Sequence, residues 1–166
     1  QVKQEGFDLC SRDTTLQLAA AAKGQQPSSS SMEGDAFAMS MFTAENLLLV
    51  GQRRRCLSML KCLRDTHLDC PQGTPVTNYI MKTLLMCECE KHPHEYEWED
   101  SCLGDRIIGC LLQLVSCLQC RRCPHYFLPQ LDLLRGRPLH TLDAAARQVW
   151  SLLRQLMLNA HALETL

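Results

Sequence analysis

Strand patterning is the first thing this sequence lacks. Hardly any stretch alternates β-branched and polar residues, and aromatic residues make up only 5% of the chain. That argues against a sheet-built fold. No run of about 18 uncharged apolar residues occurs and no signal peptide opens the chain, so no membrane association is expected. Catalytic groups are also missing. There is no Gly-rich phosphate loop, and no Ser-His-Asp arrangement can be named from spacing. No Asp-x-Asp or Glu-x-Asp pair sits in a strand context for two-metal phosphoryl transfer. The acids from Glu95 to Asp100 have no strand neighbours and read as a loop docked by Tyr96 and Trp98. The chain on its own therefore lacks the side chains of a complete enzyme.

Charge of one sign is missing as well. The formal net charge over 166 residues is -1, which excludes a generic polyanion binder and makes any electrostatic work local. Val2 to Phe7 reads like mid-domain sequence behind a first residue that is not Met, so a piece of a longer protein is expected. Cysteine is abundant, with 11 in the chain. An odd number lying mostly in apolar helical runs fits buried, reduced thiols better than a disulfide framework, and points to nucleus or cytoplasm.

What remains is helical. Residues 1–23 end in four alanines and suggest a short helix. Residues 24–34, with Pro27 and four consecutive serines, form a flexible loop that cannot recover its ordering entropy by burial. Thr43 is placed as N-cap of a helix over Ala44 to Val50, ended by Gly51. Further helices are expected over 53–68, 77–91, 106–122 and 141–160. Their inward positions include Ile80, Leu84, Leu85 and Cys89 in one, and Val149, Leu152, Leu153, Leu156 and Met157 in another. The 106–122 segment is apolar nearly all round and reads as the central helix. The expected architecture is a mainly α bundle of about five helices.

Three clusters could carry chemistry. Arg53, Arg54, Arg55, Lys61 and Arg64 crowd one segment without an acid until Asp65. Residues 54, 58, 61 and 65 share a helix face, so Lys61 with Arg54 or Arg55 could meet one anion; a solvated basic face gives the same pattern. Cys117, Cys120, Cys123 and His125 suggest zinc, but the helical spacing and intervening Arg121 and Arg122 fit packing cysteines better. Tyr79 and Lys82, three apart, could stack a base and contact a phosphate together, although a packed tyrosine beside a surface lysine is the commoner meaning.

Several segments together resemble the Mab-21-like family, relatives of cyclic GMP-AMP synthase within the nucleotidyltransferase fold superfamily. They include Val2 to Phe7, Arg53 to Ser58, Leu60-Lys61, Leu63-Arg64-Asp65, Met81 to Leu85, Glu88 to Pro93, Ser101 to Arg106, and the long run Leu114 to Pro129. The resemblance implies two lobes: a mixed α/β N-terminal lobe with the magnesium carboxylates, largely missing here, and a C-terminal helical lobe. Residues 1–23 would be the tail end of the first lobe and 35–166 the second. No catalytic residue and no metal ligand is carried over, and magnesium is expected only in the missing lobe. Nucleotide contact is implied for Ser40, Glu45, Arg54, Arg55, Lys61, Asn78, Tyr79 and Lys82. Met41 departs from a family Phe, and Asn78 from a Ser. The zinc thumb of the synthase has no counterpart, because only Val50-Gly51-Gln52 stands at that junction.

The implied function is an ATP- or GTP-binding lobe of a nucleotidyltransferase. The alternative is a non-catalytic regulator of development that binds nucleotide or RNA. The implied partners are a nucleoside triphosphate, RNA or single-stranded nucleic acid, and further copies of the chain in a homo-oligomer.

Overall fold

The computed structural model describes residues 8–11, 37–69 and 73–158, so the reading of 24–34 as a loop and most of the expected 1–23 helix lie outside the described residues. The chain divides into two compact units, 1–47 and 48–166.

In the first unit, β1 (Asp8–Ser11) pairs antiparallel with β2 (Phe37–Ser40), Asp8 opposite Ser40 and Ser11 opposite Phe37. This corrects the helical expectation for residues 8–11. Four residues are too few to show an alternation, and the pairing is supplied by a segment 26 or more residues away. α1 (Phe42–Leu48) follows. It begins one residue before Thr43, so Thr43 lies inside the helix and not at its cap.

The second unit is a helical bundle. α2 runs over Gln52–Leu63 and widens into a π turn at Arg64–Leu68. Gly51, expected to end α1, instead precedes α2 with a positive φ of 55°, a conformation that glycine adopts without steric cost. α3 (Asn78–Lys91) begins at Thr77, whose hydroxyl accepts from the Ile80 amide at 3.2 Å. A 3-10 turn at Glu95–Trp98 leads into α4 (Asp100–Gln119), and α5 is Leu139–Leu158.

The helix expected at the centre of the bundle, α4, packs against α2, α3 and α5, but it is not buried all round. α4 buries one stripe, Leu103, Ile107, Cys110, Leu111, Leu114, Val115 and Leu118, and leaves Leu112 45% exposed. α3 is the enclosed helix: Ile80, Met81, Thr83, Leu84, Leu85, Met86, Glu88 and Cys89 are buried around most of its circumference. Composition favoured α4 because α3 carries Lys and Glu among its apolar residues. By length and composition α4 is apolar enough to cross a membrane, yet here its stripe faces α2, α3 and α5. In α5, Val149, Leu152, Leu153 and Leu156 are buried as expected, whereas Met157 is 64% exposed.

Candidate functional site

The basic segment of α2 separates into three roles. Arg53 is buried: its Nη2 donates to the Pro93 carbonyl at 2.9 Å, its Nη1 lies 3.0 Å from Glu95, and its guanidinium sits 5.5 Å from the Trp98 ring. It ties the start of α2 to the 93–98 turn. Arg55 is exposed and donates to Asp100 at 2.6 Å, an oxygen that Gln52 also reaches at 3.0 Å. Arg54 Nε donates to the Leu49 carbonyl at 3.0 Å.

Helical geometry then sorts the rest. Cys56, Leu57, Leu60 and Leu63 define the buried face. At about 100° per residue, Arg54 and Lys61 fall together on one flank, roughly 10.5 Å apart along the axis, and Arg55 falls on the other side. Lys61 is half-buried, and among the described residues its ammonium has no ion pair. Arg64, which shares the Leu57–Leu60–Lys61 side, is occupied: Nε donates to the Val76 carbonyl at 2.9 Å and Nη1 to Asp65 at 2.6 Å. That bond fixes the turn just before Thr77 and joins the end of α2 to the start of α3.

At that start, Asn78 is exposed, Tyr79 half-buried and Lys82 half-buried. The Tyr79 ring is tilted against His125, with centroids 5.6 Å apart and the hydroxyl 2.5 Å from Nε2. His125 Nδ1 accepts from the amides of Phe127 and Leu128 at 3.1 and 3.2 Å. Both bonds need a lone pair on Nδ1, so the ring proton sits on Nε2 and is donated to the tyrosine oxygen. Tyr79 is thereby held by its hydroxyl. The sequence weighed His125 only as a possible metal ligand; the aromatic run His125 to Phe127 was the available signal for a packing role.

Ser40 closes β2 and Glu45 lies half-buried in the first turn of α1. Both belong to the first unit, while Arg54, Arg55, Lys61, Asn78, Tyr79 and Lys82 belong to the second.

Burial lowers the affinity of His125 for a proton. Its folded value lies below the ordinary one of about 6.5, so the unfolded chain takes up the proton first on acidification. The stability it contributes is full above that ordinary value and is lost as pH falls through the lowered one. The melting temperature of the native protein should therefore drop between about pH 7.5 and about pH 5.5 by more than that of His125→Gln. Equal drops in thermal melts of the two would remove His125 as the source.

The cysteine run does not converge. Cys117 is half-buried, Cys120 exposed and Cys123 buried, and the His125 ring is committed to Tyr79 and two amides. Among the described residues no three His, Cys, Asp or Glu side chains come together as a metal site.

One charged cluster was not anticipated. The Glu88 carboxylate is buried beneath α4, accepting from Gln113 Nε2 at 2.6 Å, with His92 Nε2 at 3.4 Å, Lys91 at 3.6 Å and Arg106 at 3.8 Å. Gly109 makes room for it: a Cβ there would stand 2.6 Å from Glu88 Oε1. His92 Nδ1 meets Glu97 at 2.9 Å, and this bond with the His94 amide holds the Glu97 carboxyl below its ordinary range. Two concavities bordered by α5, about 570 Å³ along Arg147, Trp150 and Arg154 and about 240 Å³ beside His140, contain none of the residues chosen from the sequence.

Comparison with known proteins places these observations. A family model described as the Mab-21 protein HhH/H2TH-like domain matches residues 52–151. Among curated proteins, the chain is 59% identical over 166 residues to "Protein male abnormal 21" of Caenorhabditis elegans, covering 100% of this chain and 44% of that protein. It is 54% identical over 167 residues to "Protein mab-21-like" of Drosophila melanogaster, again covering 100% of this chain and 44% of that protein. The chain thus spans less than half the length of the curated relatives it matches.

Proposed function

The chain belongs to the Mab-21 family, and from that premise we propose that it is the nucleotide-binding helical lobe of a nucleotidyltransferase-like protein. The supporting observation is Lys61: half-buried, without an ion-pair partner among the described residues, and on the same flank of α2 as Arg54. A lysine ammonium with no carboxylate beside it gains a charge-assisted partner when an anion arrives. The α2–α3 junction is fixed by Arg64, so the start of α3, with Asn78, Tyr79 and Lys82, has a defined position relative to the end of α2. ATP or GTP phosphates would lie against Lys61 and Lys82, and a base against the Tyr79 ring. Arg55, about 100° round α2 from Arg54 and paired with Asp100, is assigned to holding α2 to the start of α4. The reading places the protein in nucleus or cytoplasm, in keeping with nine free cysteines among the described residues. Any magnesium chemistry would belong to carboxylates outside these residues.

The names of the worm relatives describe an abnormality of males and no reaction, which favours a second reading. In it the lobe binds nucleotide or RNA without turnover, in a developmental regulator that works by assembling with partners or with itself.

Thermal shift of the full-length protein tests the shared part of both readings. ATP or GTP at 100 times its Kd should stabilise the fold by about 2.7 kcal/mol, and Lys61→Ala and Tyr79→Ala should each remove most of the shift. An unchanged shift in both variants would move the ligand elsewhere.

A further inference from the structure

We propose that the outer face of α5 docks an acidic amphipathic helix of a partner protein, with Trp150 as the anchor and Arg147 and Arg154 as the cations that select it. α5 carries two stripes. The buried one runs from Leu142 to Leu156 and faces the bundle. The second is Arg147, Trp150, Arg154 and Met157, all exposed and spaced by three, four and three residues. At about 100° per residue, these four with Ser151 and Leu158 fall within an arc of about 120°, turned away from the buried stripe. A repeat of that spacing is the seam into which a second helix packs. A concavity of about 570 Å³ already runs along Arg147, Trp150, Ser151 and Arg154.

Charge names the partner. From Ala144 to Leu158 the helix has no acid, and among the described residues neither Arg147 nor Arg154 has an ion pair. The two arginines stand one heptad apart, about 10.5 Å along the axis. Carboxylates one heptad apart on a facing helix match that rise, and an apolar residue between them meets the Trp150 ring. Tryptophan and arginine are the side chains that interfaces favour as anchors, and Trp150 is 43% exposed. Met157 and Leu158, both well exposed, extend the apolar part of the seam, where a nucleic acid would gain little. A lipid surface fits less well, because the cations stand within the apolar line and the broad apolar face of α5 is buried in the bundle. A second copy of α5 fits no better: in register, parallel or antiparallel, arginine would face arginine. None of the residues assigned to nucleotide belongs to this seam.

Fluorescence anisotropy on the full-length protein tests this with a labelled, alanine-rich helical peptide of about three heptads, bearing glutamate at each a position and leucine at each d position. A twin peptide has lysine in place of glutamate. The glutamate peptide should bind saturably, and the lysine peptide about tenfold more weakly or worse. Trp150→Ala should weaken the glutamate peptide by about tenfold or more. Arg147→Glu combined with Arg154→Glu should reverse the preference between the two peptides, a result that misfolding cannot produce. No saturable binding of the glutamate peptide, a preference unmoved by the charge reversal, or binding unmoved by Trp150→Ala would each overturn the proposal. Tighter binding of a uridine oligonucleotide or of phosphatidylserine vesicles through the same residues would overturn it too.

Discussion

Trp98→Ala is expected to destabilise the protein by about 3–5 kcal/mol, the range for removing a large buried aromatic. Trp98 is fully buried, and its indole N–H donates to the His92 carbonyl at 2.8 Å. Arg53 lies over its ring and bonds the Pro93 carbonyl beside it. Deleting the ring removes its packing, leaves a cavity and takes away the surface against which Arg53 is buried. Trp98→Phe should cost less, since it keeps most of the apolar area and loses the bond to His92. Urea titration of the two variants checks the order. A loss below about 1 kcal/mol for the alanine would mean that the 93–98 turn repacks without it.

Glu88→Ala is the second large effect, about 3–5 kcal/mol. Its carboxylate is nearly inaccessible and is the shared neighbour of Gln113, His92, Lys91 and Arg106. Nε and Nη1 of Arg106 are buried and have no hydrogen-bond partner among the described residues, so Glu88 supplies the compensating charge nearby. Removing it leaves a buried guanidinium uncompensated, which is costlier than the pair itself is stabilising. Gly109→Ala reports on the same contact from the other helix. The new methyl would overlap Glu88 Oε1, so overpacking of about 1–3 kcal/mol opposes a helix-propensity gain of about 1 kcal/mol. In a Glu88→Ala background the overlap is gone and the same substitution should be neutral or stabilising. Additive losses in the double variant would show that Gly109 and Glu88 are not coupled.

These two residues show what the sequence makes legible. The helix expected over 77–91 and the inward stripe of the last helix follow from periodicity, and the structure has them at Asn78–Lys91 and at every stripe position but Met157. Arg53 does not follow, because its partners lie about 40 residues away at Pro93 and Glu95. A basic triplet looks the same whether or not one member is buried. Glu88 is illegible for a similar reason: a glutamate within a helix is ordinarily solvated, and only the close approach of α4 at Gly109 puts it under cover. The β1–β2 pair depends on a partner segment that no local pattern names. For the candidate site, periodicity placed Arg54 and Lys61 on one flank of α2, and the family resemblance pointed to Tyr79. The support of Tyr79 by His125 needed the turn after α4, which reverses through a left-handed arginine that no rule would choose.

Calorimetric titration of ATP and GTP into the full-length protein, with Lys61→Ala and Arg55→Ala in parallel, tests the central claim most directly. A charge-assisted contact contributes about 1.5–3 kcal/mol, so Lys61→Ala should weaken binding roughly ten- to hundredfold. Arg55→Ala, about 120° round the same helix from Lys61 and already paired with Asp100, should leave Kd within about twofold. Equal losses in both variants, or no loss in Lys61→Ala, would contradict a nucleotide site on the Arg54–Lys61 flank.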